Sequence, residues 1–292
     1  MDLINNKFAK EEFVFDVVIP HLNFIGLKKT LETLRNKTPE YNINKVILID
    51  SNQEGYQEVD EYVDIHIRSK NILGFSKACN IGIQMSRSPF VMVCNDDVEF
   101  IHPRWVEGIV KVFNDYGKQC LAVNPHSIRN PISSGGPPED HKDFPPHDDW
   151  TDEEYQKVVE SDVGRFVYDG ICTWGPIFNR SKLEKVESTI PGKCYFDESF
   201  WSGQDYKLNY DSRLTKIEDN DFNGYRMLGG GGVVRHLWYS TKDENGNAKV
   251  KYDPTFHKVY GLWEGDQLIE QPDIFGTKGI KKVIKNTLDK SL

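Results

Sequence analysis

The sequence predicts an α/β fold, a mostly parallel central sheet with helices on its faces. Three observations carry this. Over the first 125 residues, short β-branched or aromatic runs alternate with longer segments of helical period, the pattern of right-handed βαβ units. The runs are almost continuously apolar, as in strands covered on both faces. They also end in polar residues, Pro20-His21, Asp50-Ser51-Asn52 and Asn95-Asp96-Asp97. Polar side chains therefore gather on one rim, outside the carboxyl ends of the strands, where such sheets hold ligands.

The elements follow in order. FVFDVVIP (13–20) is a first strand, closed by Pro20. GLKKTLETLRNK (26–37) carries Leu27, Leu31 and Leu34 on one helical stripe. KVILID (45–50) is a second strand, and the alternating VDIHIR (63–68) a third. SKACNIGIQMSR (76–87) is a helix, and PFVMVCN (89–95) a fourth strand. PRWVEGIVKVFNDYG (103–117) is a helix with Pro103 in its first turn and Gly117 at its stop. CLAVN (120–124) is a fifth strand.

Residues 125–160 are dense in Pro, Gly and Asp and read as a long surface loop. Short apolar pieces return from 165 to 238, with the four glycines 229–232 read as a flexible turn before the strand VVRHLW. DENGN (243–247) has hairpin-turn chemistry. GIKKVIKNTLDKSL (279–292) reads as a weakly amphipathic basic helix. The expected organisation is one domain over 1–264, with a nucleotide-binding half at about 13–124 and an acceptor and catalytic half at about 125–264. A C-terminal helical tail is expected over 265–292.

Composition narrows the function. Of 292 residues, 38% are hydrophobic and 12% aromatic, enough for a core. The net charge of −9 argues against broad affinity for nucleic acid, which needs a basic surface. No run approaches the roughly 20 apolar residues of a membrane span, and MDLINNKFAKEEF lacks the layout of a signal peptide. A cytoplasmic protein, at most peripheral to a membrane, is expected. Five scattered cysteines (Cys79, Cys94, Cys120, Cys172, Cys194) form no CxxC pair and read as buried thiols rather than a zinc site.

Four stretches carry chemistry. Asn95-Asp96-Asp97 sets hard oxygen ligands at a strand end, which suits Mg2+ or Mn2+ and in turn a diphosphate. Asp97, last in a D-x-D-like triplet, is the better direct ligand. Asn95 binds through water or meets a ribose hydroxyl, and Asp96 meets the ribose or sugar. An acidic turn of no function is the alternative. In NILGFSKACNIG (71–82), Gly74 allows close backbone approach before a helix whose amides favour anions, Lys77 can meet a phosphate, and Asn80 lies one turn on. Neither a Walker loop nor a G-x-G-x-x-G fingerprint is present. Asp50 can accept hydrogen bonds from a base or ribose, or merely cap its strand. In KIEDNDFNGYRMLGGGGVVRHLW (216–238), Glu218, Asp219 and Asp221 form a second carboxylate cluster, and His236 can supply a nitrogen ligand to the same metal. Trp150, Trp174, Trp201 and Trp238 could stack on sugar rings or pack in the core.

The order of these pieces resembles the inverting family-two glycosyltransferases of the GT-A fold, in particular the rhamnosyl- and galactofuranosyl-transferases. The matching elements are VVIP, IDSN, N-x-x-G-F-S-x-A-x-N-x-G at 71–82, NDDVEF, WGPIFNRSKLEKV (174–186), FDESFW (196–201), EDNDF (218–222), RHLWYST (235–241) and a late FHKVYGLWE. The resemblance spans roughly 14–264 and implies metal-dependent, inverting transfer of a sugar from a nucleotide-sugar donor to an acceptor hydroxyl. It implies that Pro20, Asp50 and Asn71 lie around the base and ribose, and that Gly74, Lys77 and Asn80 flank the nucleotide and its phosphates. Asn95, Asp96 and Asp97 would form the metal triplet, His236 the far metal ligand, and Asp219 the general base beside Glu218. Two departures stand out: Asn95 replaces the first Asp of the triplet, and a long insert separates FDESFW from EDNDF. The insert keeps Asp197, Glu198 and Asp205 open as rival bases. The implied acceptor is a surface glycan or polysaccharide, with a protein, a lipid-linked glycan or a modified nucleic-acid base as alternatives. A nucleotidyltransferase and an inactive nucleotide-sugar-binding relative are the rival functions.

Overall fold

The architecture comes from a computed structural model that describes residues 7–22, 26–51, 59–127, 151–161, 165–166, 174–186, 195–198, 204–215, 224–236, 262–264 and 267–270. The first half holds β1 (Phe15–His21), α1 (Leu27–Lys37), β2 (Ile43–Asp50), β3 (Ile65–Arg68), α2 (Phe75–Met85), β4 (Phe90–Val93), β5 (Val98–Phe100), α3 (Trp105–Tyr116) and β6 (Cys120–Ser127). Then come α4 (Asp152–Ser161), β7 (Arg165–Phe166), β8 (Ile177–Asn179), α5 (Arg180–Leu183), α6 (Gln204–Leu214) and β9 (Arg226–His236). Last are β10 (Leu262–Glu264) and β11 (Gln267–Glu270).

Among the described residues nine strands form one sheet in the order β3-β2-β1-β4-β8-β6-β9-β5, with β7 paired to β9. β3, β2, β1 and β4 are mutually parallel, β8 runs antiparallel between β4 and β6, and β6 and β9 are parallel. The fold class expected from the sequence is the one observed.

The period-two geometry of a strand sends neighbouring side chains to opposite faces, and the cores follow it. Phe15, Val17 and Ile19 of β1 join Phe90 and Met92 of β4 in one core with Leu27, Leu31 and Leu34 of α1 and Trp105, Ile109 and Phe113 of α3. Val18, Val91 and Val93 belong to the other core, with Ala78, Cys79 and Ile83 of α2. All seven residues of β1 are buried. The parallel pairing sets the carboxyl ends of β1, β2, β3 and β4 on one rim.

Three expectations are corrected. The loop expected over 125–160 contains the start of α4. Its signal was present in Thr151-Asp152-Glu153-Glu154, a capping box: the Thr151 amide donates to Glu154 Oε2 (2.8 Å) and the Glu154 amide to Thr151 Oγ1 (3.3 Å). The glycines 229–232 form no turn but lie inside β9. Helix α3 packs against that strand, and a Cβ on Gly232 would stand 2.7 Å from the Trp105 carbonyl oxygen. Gly232 thus lets helix and strand close together. The segment expected as a helical tail from 265 opens instead with β11, paired antiparallel to β10. The hairpin turn at 243–247 and the helix at 279–292 lie outside the described residues. Among the described residues no helix is long and apolar enough to cross a membrane.

Candidate functional site

β4 ends at Val93, and its chain passes through Cys94 and Asn95 into a turn at Asp96 and Asp97 before β5 begins. Cys94 and Val98 are fully buried, whereas Asn95, Asp96 and Asp97 are half-buried. The turn is pinned at both ends. The Cys94 amide donates to Val18 O (2.9 Å), and the Val98 amide to the Thr30 hydroxyl of α1 (3.0 Å). Gly26, which precedes α1, lies against the same turn: a Cβ there would come within 2.7 Å of Asp97 Cα.

The end of the neighbouring strand β1 meets this turn, and the end of β2 lies beside that of β1. His21, the last residue of β1, places Nδ1 2.6 Å from Asp96 Oδ2. An ionised carboxylate only accepts, so the imidazole donates. Asp50, the last residue of β2, is 5% exposed. Its Oδ2 lies 3.3 Å from His66 Nε2 and 3.3 Å from Arg68 Nε, both on β3. Buried carboxylates need such compensation. Sequence reading singled out neither His21 nor the His66–Arg68 pair. Their positions on the expected rim were the available signal.

The other expected residues fall as follows. Pro20 is buried in β1 opposite Ile49. Asn71 is exposed just beyond β3, its amide donating to Ser69 Oγ (3.2 Å). Gly74 caps α2 with a φ of 72°, and Lys77 is exposed in the first turn of that helix. Asn80 lies deeper, on the buried side of the same helix. It is 1% exposed, and its amide nitrogen donates to Phe196 O (2.8 Å) and Glu198 Oε1 (3.0 Å), while its oxygen accepts from the Phe196 amide (2.9 Å). This side chain staples α2 to the 195–198 segment, because a buried amide must satisfy its donors and acceptor internally. Trp174 belongs to the core, its indole donating to Pro125 O (2.9 Å).

His236 enters through β9. The antiparallel register of β5 and β9 sets it opposite Val98, the residue after Asp97. The second carboxylate cluster, Glu218, Asp219 and Asp221, lies outside the described residues. Of the rival bases, Asp197 is buried, Glu198 meets Asn80, and Asp205 sits in the first turn of α6. Cys79, Cys94 and Cys120 are buried free thiols. Burial, with Asp97 and Asp96 adding negative charge nearby, pushes the Cys94 thiol well above its ordinary value.

A model of the family described as "Glycosyl transferase family 2" matches residues 16–186, more than half of the chain. The chain belongs to glycosyl transferase family 2. Its sheet is the GT-A fold of that family. A structure of GalNAc-T7 with UDP, GalNAc and Mn2+ matches with a TM-score of 0.50 at 14% identity, covering 77% of this chain and 44% of that one. S. aureus TarS matches with a TM-score of 0.50 at 12% identity, over 75% and 35%. The chain thus spans less than half the length of either, and at these identities the likeness is one of fold. Comparison with curated proteins finds no match.

The donor chemistry of the turn fits a hard divalent cation: carboxylate and amide oxygens, half open to solvent, on the rim of the sheet. Among the described residues no three His, Cys, Asp or Glu side chains converge into a complete cage. An ion held here would therefore share its coordination with a ligand's oxygens or with side chains beyond that set, as Mg2+ and Mn2+ sites on phosphates do.

Proposed function

We propose that the chain is a metal-dependent, inverting glycosyltransferase. It would move a sugar from a nucleotide-sugar to an acceptor hydroxyl, in the cytoplasm or at a membrane surface. The observation that carries this reading is the half-buried Asn95-Asp96-Asp97 turn. It stands at the carboxyl end of β4, beside those of β1 and β2 and within the family-matched region.

Asp97, with Asn95 and His236, would hold the cation, Mn2+ or Mg2+. When bound, that ion neutralises the charge of the departing nucleoside diphosphate. Asp96 meets the ribose or sugar. Pro20, Asp50 and Asn71 lie around the base and ribose, from which Asp50 receives hydrogen bonds. Gly74 and Lys77 flank the phosphates, and Asn80 positions the 195–198 segment. Asp219, beside Glu218, takes the proton of the acceptor hydroxyl. That oxygen then bonds to the anomeric carbon as the bond to the diphosphate breaks on the opposite face. General-base help of this kind contributes roughly 10²–10⁴-fold. The acceptor is a glycan of a surface polymer, and the net charge of −9 disfavours a nucleic-acid acceptor.

The test is a screen of UDP-, GDP-, dTDP- and CMP-sugars for released nucleotide, with and without Mn2+. Metal-dependent release from one donor is expected. Binding of a donor without turnover would favour the second reading, an inactive nucleotide-sugar-binding relative, which the neutral Asn95 keeps open. Asp219→Asn should lower kcat far more than donor affinity, and a change confined to affinity removes the base assignment.

A further inference from the structure

The backbone of the acidic turn is fixed by Val18, Thr30 and Gly26. None of these contacts orients the Asp96 side chain, whose carboxylate can rotate about two bonds on a half-buried turn. His21 supplies that constraint. Its side chain is 2% exposed, against 22% for Asp96, so the imidazole is the buried and rigid partner. The ring is anchored by position. His21 closes β1 in register with Asp50, and its carbonyl accepts from the Ser51 amide (2.8 Å).

We propose that His21 is a positioning residue for the nucleotide-sugar site: by bonding Asp96 Oδ2 it presets the other oxygen of that carboxylate for the ribose hydroxyls of the donor's nucleotide. The inference rests on the donor-site reading above. A preset carboxylate binds without first losing side-chain freedom, the general advantage of preorganisation. Two further features support it. A charge-assisted bond at 2.6 Å is short for a nitrogen donor, hence strong and directional. The pair also bridges the ends of β1 and β4, so two adjacent strands of the parallel set share one anchor on their ligand-binding edge.

The test uses the full chain and two variants. His21→Leu fills the buried space without a donor. His21→Asn restores one, because the Asn amide nitrogen occupies nearly the place of Nδ1. UDP and GDP, each with and without Mn2+, are titrated calorimetrically, and steady-state kinetics are run with the active donor. His21→Leu should bind the nucleoside diphosphate about tenfold more weakly and raise the donor KM similarly, with kcat within about twofold, the signature of lost uniform binding. His21→Asn should recover most of that loss, and both variants should melt within a few degrees of the wild type. If wild type binds and His21→Leu binds equally well, this inference falls while the donor-site reading stands. If Asn fails to rescue, or kcat falls instead of KM rising, the positioning role also falls. If wild-type protein binds neither nucleotide, the donor-site reading itself fails and takes the inference with it.

Discussion

Strand β1 carries one carboxylate near its start, and its far end meets two more in the turn after β4; they are treated oppositely. Asp16, its second residue, is fully buried and accepts from five donors: the Ser86 hydroxyl (2.8 Å), the Arg87 amide (2.7 Å), the Ser88 amide (3.0 Å), the Ser88 hydroxyl (3.0 Å) and the Asn44 side chain (2.7 Å). Burial alone would raise its pKa. The Ser88 and Arg87 amides, then Asn44 and Ser86, outweigh that and hold the carboxyl below its ordinary value. Asp96 and Asp97, across the sheet at the opposite edge, stay half open to solvent. One end of the strand uses its acid to join β1 to the α2–β4 connection. The other keeps acids within reach of a ligand. A carboxylate's role here follows from how completely the fold satisfies it.

The sharpest way to break this contrast is to remove each acid in turn. Asp16→Ala strands several buried donors and should cost about 3–5 kcal/mol of stability, read as a large drop in denaturant midpoint. A loss below about 1 kcal/mol would show that the cluster is dispensable. Asp97→Ala should do the reverse, lowering turnover about 10²-fold or more on the proposed mechanism while the melting temperature holds. Unchanged turnover removes Asp97 from the reaction.

A smaller effect sharpens the Asp16 side. Its folded-state pKa lies below the unfolded one, so its contribution to stability is fully present above the unfolded carboxylate value. That contribution is lost as pH falls through the folded value. Wild type should therefore lose stability in acid more steeply than Asp16→Asn, and parallel curves would contradict the shift. Smallest is Thr30→Val, which deprives the Val98 amide of its hydroxyl partner. It should cost about 1 kcal/mol and raise the donor KM modestly, linking the turn's backbone to binding. A stability loss with no change in KM would assign Thr30 to the scaffold alone.

The alternation of oily runs with leucine-striped segments made the first half legible, because two-sided burial leaves an unambiguous pattern. Asn95-Asp96-Asp97 and Asp50 could be assigned to one rim for the same reason. What escaped depended on pairings across the sheet. His21 meets Asp96 across 75 positions of sequence and Asn80 meets Phe196 across 116, and no local pattern announces such partners. Glycine's dual nature explains the misreading of 229–232: the residue that frees a turn also lets Trp105 close on a strand. β5 is only three residues long and pairs with distant β9, too short for periodicity to reveal.

Cys94 turns the acidic corner into something that can be watched. Its sulfur lies beneath Asn95, near that residue's carbonyl (3.2 Å) and that of Trp174 (3.6 Å), sealed from solvent and kept protonated. Alkylating reagents attack the thiolate, so this cysteine stays silent while the corner is closed. The speed at which it is labelled becomes a gauge of how often the corner breathes, and a ligand that clamps the neighbouring acids would slow the clock.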